Sequence, residues 1–261
     1  MSGAKSNELR TWTAISVVGL LSWGLWRLAV VISQATPQVF AQADRLAFAA
    51  VVTLGAIVVV GGALRVGGAS PRSIGLAAPW KGVAGAAWAA IPAAVGLIGA
   101  VTLGWAEVVV LAPAGEALLK LTALIALVFL SEALPEELIF RGYIQSRLMG
   151  LTGPWGGVLL QAAIFTLFAH LIGAASAPMQ LGFIAGFGVA LGMLRATTGS
   201  VWASIGFHLA FIAVQQGVGG GWALVSLGMT PTIRQIVLAM APISVVIAVL
   251  FERVGRARAA R

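Results

Sequence analysis

Residues 11–32 read TWTAISVVGLLSWGLWRLAVVI, with Arg27 as the one charged residue in the run. About 20 apolar residues are what crosses a ~30 Å hydrocarbon core at ~1.5 Å rise per residue. Blocks of the same kind recur along the chain, and we place spans at roughly 12–33, 46–65, 82–103, 119–148, 155–174, 179–195, 199–218 and 232–251. The fourth is too long to lie wholly in the membrane. Composition agrees: 60% of residues are hydrophobic and 9% charged, where a soluble domain carries roughly 25% charged residues. A transmembrane β-barrel would alternate apolar and polar residues over ~10-residue segments, and these runs are continuous instead. The expected fold is therefore an all-α membrane protein, a bundle of about eight transmembrane helices, with 1–261 as one polytopic domain.

Lys5 and Arg10 ahead of the first run resemble the start of a signal peptide, but the run exceeds the roughly 7–15-residue core of such signals. We read it as a retained helix. Glycine- and proline-containing stretches separate the spans: Gly67 to Pro71, Thr152-Gly153-Pro154, and Gly217 to Gly221. Many of the 33 glycines suit close helix–helix approach in lipid.

The net charge of +8 does not indicate nucleic acid, because most of the basic residues sit at the ends of apolar runs. Arg65, Arg72 and Lys81 share one loop, and Arg253, Arg256, Arg258 and Arg261 crowd the tail. That pattern follows the positive-inside rule and attraction to anionic lipid headgroups. It puts both termini and the 65–81 loop in the cytoplasm, with 104–118 and 219–231 outside, in an integral cytoplasmic or inner membrane. The absence of cysteine excludes disulfides, thiolate catalysis and cysteine-ligated metals.

Ionisable groups inside spans cost roughly 2.5–3.5 kcal/mol each on insertion scales and mark function. Here they cluster. The segment Ser131-Glu132-Ala133-Leu134-Pro135-Glu136-Glu137-Leu138-Ile139-Phe140-Arg141-Gly142-Tyr143 carries most of them, and the only two histidines, His170 and His208, lie in two later spans. Glu137 and Arg141, four apart, can pair on one helix face; Glu132, Glu136 and Tyr143 share another. Pro135 removes a backbone bond toward Ser131 and bends the helix ahead of the acids. One carboxylate is thus held by arginine, and Glu136 is free to act as a general base toward water. The histidines can polarise water, stabilise an oxyanion or bind a metal. Glu136, His170 and His208 fit a divalent metal such as zinc by ligand type, though not as a His-Glu-x-x-His helix. By helix rise, Glu136 lies about 16 Å from Arg147 and His208 about 14 Å from Gly199, near mid-membrane and reached from the cytoplasmic side. His170, about 24 Å from Pro154, sits deeper.

At these residues the chain resembles the CPBP family of intramembrane proteases (CAAX protease and bacteriocin-processing, or Abi, family). The family's two glutamates, three residues and arginine are matched by Glu136-Glu137-Leu138-Ile139-Phe140-Arg141, followed by Gly142. His170 and His208 match its two later histidines, and the similarity runs from about 119 to 214. The resemblance implies that Glu136 activates water with His170, that His208 supports the oxyanion, and that Glu137 and Arg141 orient the site. Two positions depart from the pattern. Thr166 stands where a phenylalanine is common, and Ile212 stands where the CAAX-processing members place an asparagine, which weakens the case for prenylated substrates; Gln215 and Gln216 point elsewhere on an ideal helix.

The function expected is hydrolysis of a peptide bond in a membrane-associated protein or peptide. A non-catalytic scaffold or immunity-type regulatory protein is the alternative. A proton-coupled transporter using Glu132, Glu136 and the histidines is a third, for which paired broken helices would be the signature.

Overall fold

The computed structural model describes residues 2–37, 42–219, 222 and 224–259. Gly220, Gly221 and Arg261, like the side chains of Arg256 and Arg258, lie outside what is described. The first run becomes α1 (Ser2–Ala35). Its buried residues Ile15, Val18, Ser22, Trp26 and Ala29 form one stripe, while Val17, Leu20, Leu21, Leu28 and Val31 are exposed. Spacings of three and four residues define a single face, and an apolar opposite face is what lipid contact requires. There follow α2 (Ala43–Val66), a short 3-10 turn (Pro71–Ile74) and α3 (Lys81–Thr102). After β1 (Glu107–Val110), the chain enters a helical stretch that extends from Ala114 to Leu171 and breaks at Gly153. It ends with α7 (Pro178–Thr198), α8 (Val201–Gly219), β2 (Val225–Gly228) and α9 (Pro231–Ala259).

Among the described residues, seven helices are long and apolar enough to cross a membrane, and the fourth of these, Ala114–Leu171, has 58 residues. The eight expected passes differ from seven because this helix folds back on itself. Gly153 has φ 76° and ψ 172°, a conformation open essentially only to glycine, and Pro154 follows with no N–H to continue the ladder. The fold-back shows in the packing: the Phe140 ring lies 5.1 Å from Phe165 and 4.9 Å from Phe168. Along a straight helix, Phe140 and Phe165 would be about 37 Å apart. Two arms, 114–152 and 154–171, therefore replace one rod.

The first arm is built of α4 (Ala114–Val128), a π-helical turn (Phe129–Ala133), the single α-turn α5 (Leu134–Glu137), a second π-helical stretch (Leu138–Ile144) and the start of α6 (Gln145–Leu171). The remaining helices close around it. α3 and α8 come into backbone contact: a Cβ at Gly85 would overlap the carbonyl of Ala203, and one at Gly206 the carbonyl of Gly82. Small residues at a membrane helix crossing allow this approach.

The two ends of the bundle differ in charge. At one end Lys81 Nζ donates to the Thr198 carbonyl at 2.6 Å, Arg195 Nη2 to Ser146 Oγ at 3.1 Å, and Arg253 lies 3.6 Å over the Trp155 ring. This gathers the 65–81 loop, the Gly153 bend and the end of α9. At the other end β1 and β2 pair antiparallel, Glu107 opposite Gly228 and Val110 opposite Val225. The small sheet was not expected from sequence, but it joins the two connections that the charge reading had assigned to one side.

Candidate functional site

The acidic segment owes its shape to Pro135. In the first π-turn the Leu134 N–H donates to the Phe129 carbonyl, five residues back. Continued by one residue, that ladder would require Pro135 to donate to Leu130, and proline has no N–H. Thr53 Oγ1, from α2, donates to the Leu130 carbonyl instead. The acceptor covered by a side chain is thus Leu130, where the sequence had pointed to Ser131. The second π-stretch closes with the Gln145 N–H donating to the Phe140 carbonyl. Glu136 and Glu137 therefore occupy one α-turn between two π-bulges, a backbone form that concentrates at functional sites.

The widened turns bury this part of the helix on every side, from Glu137 through Gln145. Glu137 and Arg141 are fully buried, and Arg141 Nη1 donates to Glu137 Oε1 at 2.8 Å. His208, 2% exposed on α8, donates from Nδ1 to the same oxygen at 3.0 Å. Two donors on one buried carboxylate offset part of its desolvation. The Arg141 guanidinium lies 4.2 Å from the Phe165 ring centroid, and Phe187 meets the His208 ring edge-on at 5.2 Å. Each cationic or heteroaromatic group is thereby walled by an aromatic.

Glu136 is half-buried and lies within electrostatic reach of His208, Glu132, Glu137 and Arg141. Among the described residues it forms no hydrogen bond. Glu132, one turn earlier, accepts from Gln216 Nε2 at 3.3 Å. A cavity of about 340 Å³ abuts Glu132 and Gln216, with Asp44, Arg45 and Trp222 also in its wall. These come from the end of α8, the start of α2 and the loop before β2, so the cavity opens at the sheet end. Neither Glu136 nor His208 lines it, and the sequence places access to those two residues from the opposite end, with the 65–81 loop.

His170 is not part of this cluster. It is exposed near the end of α6, its Nδ1 3.1 Å from the Ala175 carbonyl. No hydrogen bond among the described residues joins it to Glu136, Glu137 or His208. Tyr143 is buried under the Arg147 guanidinium, 5.2 Å from its ring. Thr166 bonds back to the Ala162 carbonyl at 2.8 Å, and Phe165 covers Arg141.

A zinc site of Glu136, His170 and His208 does not assemble: among the described residues no group of three or more histidine, cysteine or acidic side chains could hold a metal ion. The converging donors are spent on one another, since Glu137 Oε1 takes both Arg141 and His208.

Several contributors were missed from sequence. Gln145 continues the Glu137–Arg141 ladder by one further turn, and that periodicity was a usable signal. It is fully buried and donates to the Gly192 carbonyl at 2.8 Å. Gln161, also fully buried, would lie 3.0 Å from a Cβ at Gly192. Thr53 and Phe187 carry no local signature.

Residues 118–214 match the family model described as Type II CAAX prenyl endopeptidase Rce1-like. No curated protein and no solved structure matches the chain. The matched segment begins in α4 and ends in α8, contains every residue of the buried Glu137–Arg141–His208 group, and agrees with the resemblance read from the acidic motif and the two histidines. The chain is a multi-pass, helical membrane protein, and its residues 118–214 are similar to the Rce1-like type II CAAX prenyl endopeptidases.

Proposed function

We propose that this protein is an intramembrane endopeptidase in which Glu136 takes a proton from water as the water oxygen attacks a peptide carbonyl. The C–N bond then breaks, and Glu136 returns the proton to the leaving amine. The observation that carries this reading is the Glu137 carboxylate bonded to both Arg141 and His208 beside the unbonded Glu136. Donation from Nδ1 fixes the His208 orientation and leaves Nε2 as the nitrogen that can meet a substrate; when protonated, it donates to the oxyanion. Fixed donors in a dry site are worth several kcal/mol to such an intermediate. His170 takes no part in this scheme. The substrate is a membrane-associated protein or peptide, and the basic end of the bundle faces the cytoplasm.

The test is cleavage by the full-length protein in liposomes, read by mass spectrometry on single-span peptides and on prenylated peptides. Cleavage abolished by Glu136→Gln supports the proposal. Cleavage retained in that variant removes Glu136 as the base. If no peptide is cut, the fully buried ion network favours the scaffold reading instead.

A further inference from the structure

Glu132 is the one acid of the cluster that the proposed chemistry leaves idle, and it stands against the cavity at the sheet end. Along the first arm it is about 18 Å below Lys120, whose exposed pair with Glu116 lies near the membrane surface. Its only hydrogen bond among the described residues comes from a neutral amide, Gln216. Among those residues it has no ion pair. At this depth an acid without a cation is costly.

The remaining wall favours an incoming cation over an anion. Asp44 and Arg45 balance each other in charge, and Arg45 lies 5.8 Å from the Trp222 ring, where the π face holds it. That leaves Glu132 as the unbalanced charge of the cavity wall, offset only by the electrostatic attraction of His208, which lies outside that wall. The α4 side is apolar (Leu124, Leu127, Val128) and suits an alkyl stem. A volume of about 340 Å³ is at the low end of the ~300–1,000 Å³ of ligand sites, a size for a side chain and not for a whole helix.

We infer that this cavity is a specificity pocket that receives a lysine or arginine side chain of the substrate, with Glu132 as its counter-ion. The inference rests on the endopeptidase reading: Glu136 is one helical turn beyond Glu132, so a side chain seated there presents the neighbouring backbone to the proposed base. Substrate selection then depends on a buried charge pair formed only in the complex.

The experiment uses the full-length protein in liposomes and single-span peptides carrying one lysine at successive depths, each with a norleucine twin. Binding is read by fluorescence anisotropy and cleavage by mass spectrometry. At one depth the lysine peptide should bind at least about tenfold more tightly than its twin, and Glu132→Gln should abolish the difference. Equal binding of twins at every depth, or a full preference retained in Glu132→Gln, overturns the pocket. If that variant does not fold, the twin comparison on the wild-type protein decides alone. Cleavage without lysine preference removes the pocket and leaves the endopeptidase standing. Lysine preference without cleavage of any peptide does the reverse.

Discussion

His208 on α8 donates from Nδ1 to Oε1 of Glu137, 71 positions earlier in the chain, at 3.0 Å. The bond ties α8 to the π-distorted helix at the one place where the latter carries adjacent glutamates. A carboxylate that already accepts from Arg141 holds the imidazole in one orientation, as second partners of catalytic and ligating histidines generally do.

Removing that anchor should cost both stability and activity. Glu137→Ala leaves Arg141 buried without its counter-charge, a loss of about 3–5 kcal/mol. A marked fall in the thermal unfolding midpoint in detergent is the expected outcome. An unchanged midpoint would show that the ion pair is dispensable.

Glu136→Gln should separate the two effects. Glu136 is half-buried and makes no hydrogen bond among the described residues, so the unfolding midpoint should barely move. Cleavage should fall by about 10²–10⁴-fold, the usual contribution of a general base. His208→Gln should lower cleavage by a similar factor.

His170→Ala discriminates the geometry from the family resemblance. An exposed side chain bonded only to a local carbonyl is expected to change cleavage by no more than about twofold, as for other surface substitutions. A hundredfold loss would mean that the end of α6 moves His170 onto the substrate during turnover.

Thr53→Val tests the support of the π-turn. It removes the donor to the Leu130 carbonyl, and a buried acceptor left unpaired costs about 1–3 kcal/mol. Hydrogen exchange at the first π-turn should rise while α7 stays protected. Equal protection in both proteins would show that another donor covers Leu130.

Chelation tests the metal question directly. Because the acidic and histidine side chains do not assemble a three-donor set, cleavage should persist after dialysis against a strong zinc chelator. Loss of activity that is restored by zinc would show that substrate binding completes a site.

The amino-acid sequence by itself determined the membrane setting and the helical passes. Runs of about 20 apolar residues admit one solution in lipid, because backbone polar groups must be satisfied within the segment. Gly153-Pro154 likewise marks the reversal inside the 58-residue helix, since backbone chemistry there is local. The pairing of Glu137 with Arg141 also followed from a spacing of four. What only the tertiary structure decided is which distant groups meet. Ideal helix geometry put Glu132, Glu136 and Tyr143 on one face, but two π-bulges rephase the helix and bury Tyr143 under Arg147. The two histidines are equivalent in sequence terms, each a lone imidazole in an apolar span. Packing of α8 against the π-distorted segment brings His208 to Glu137, while the length of the arm after Gly153 carries His170 to an exposed end. Which end of the bundle the cavity opens on was equally beyond sequence, because its wall draws on α2, α4, α8 and Trp222, which only the three-dimensional packing brings together.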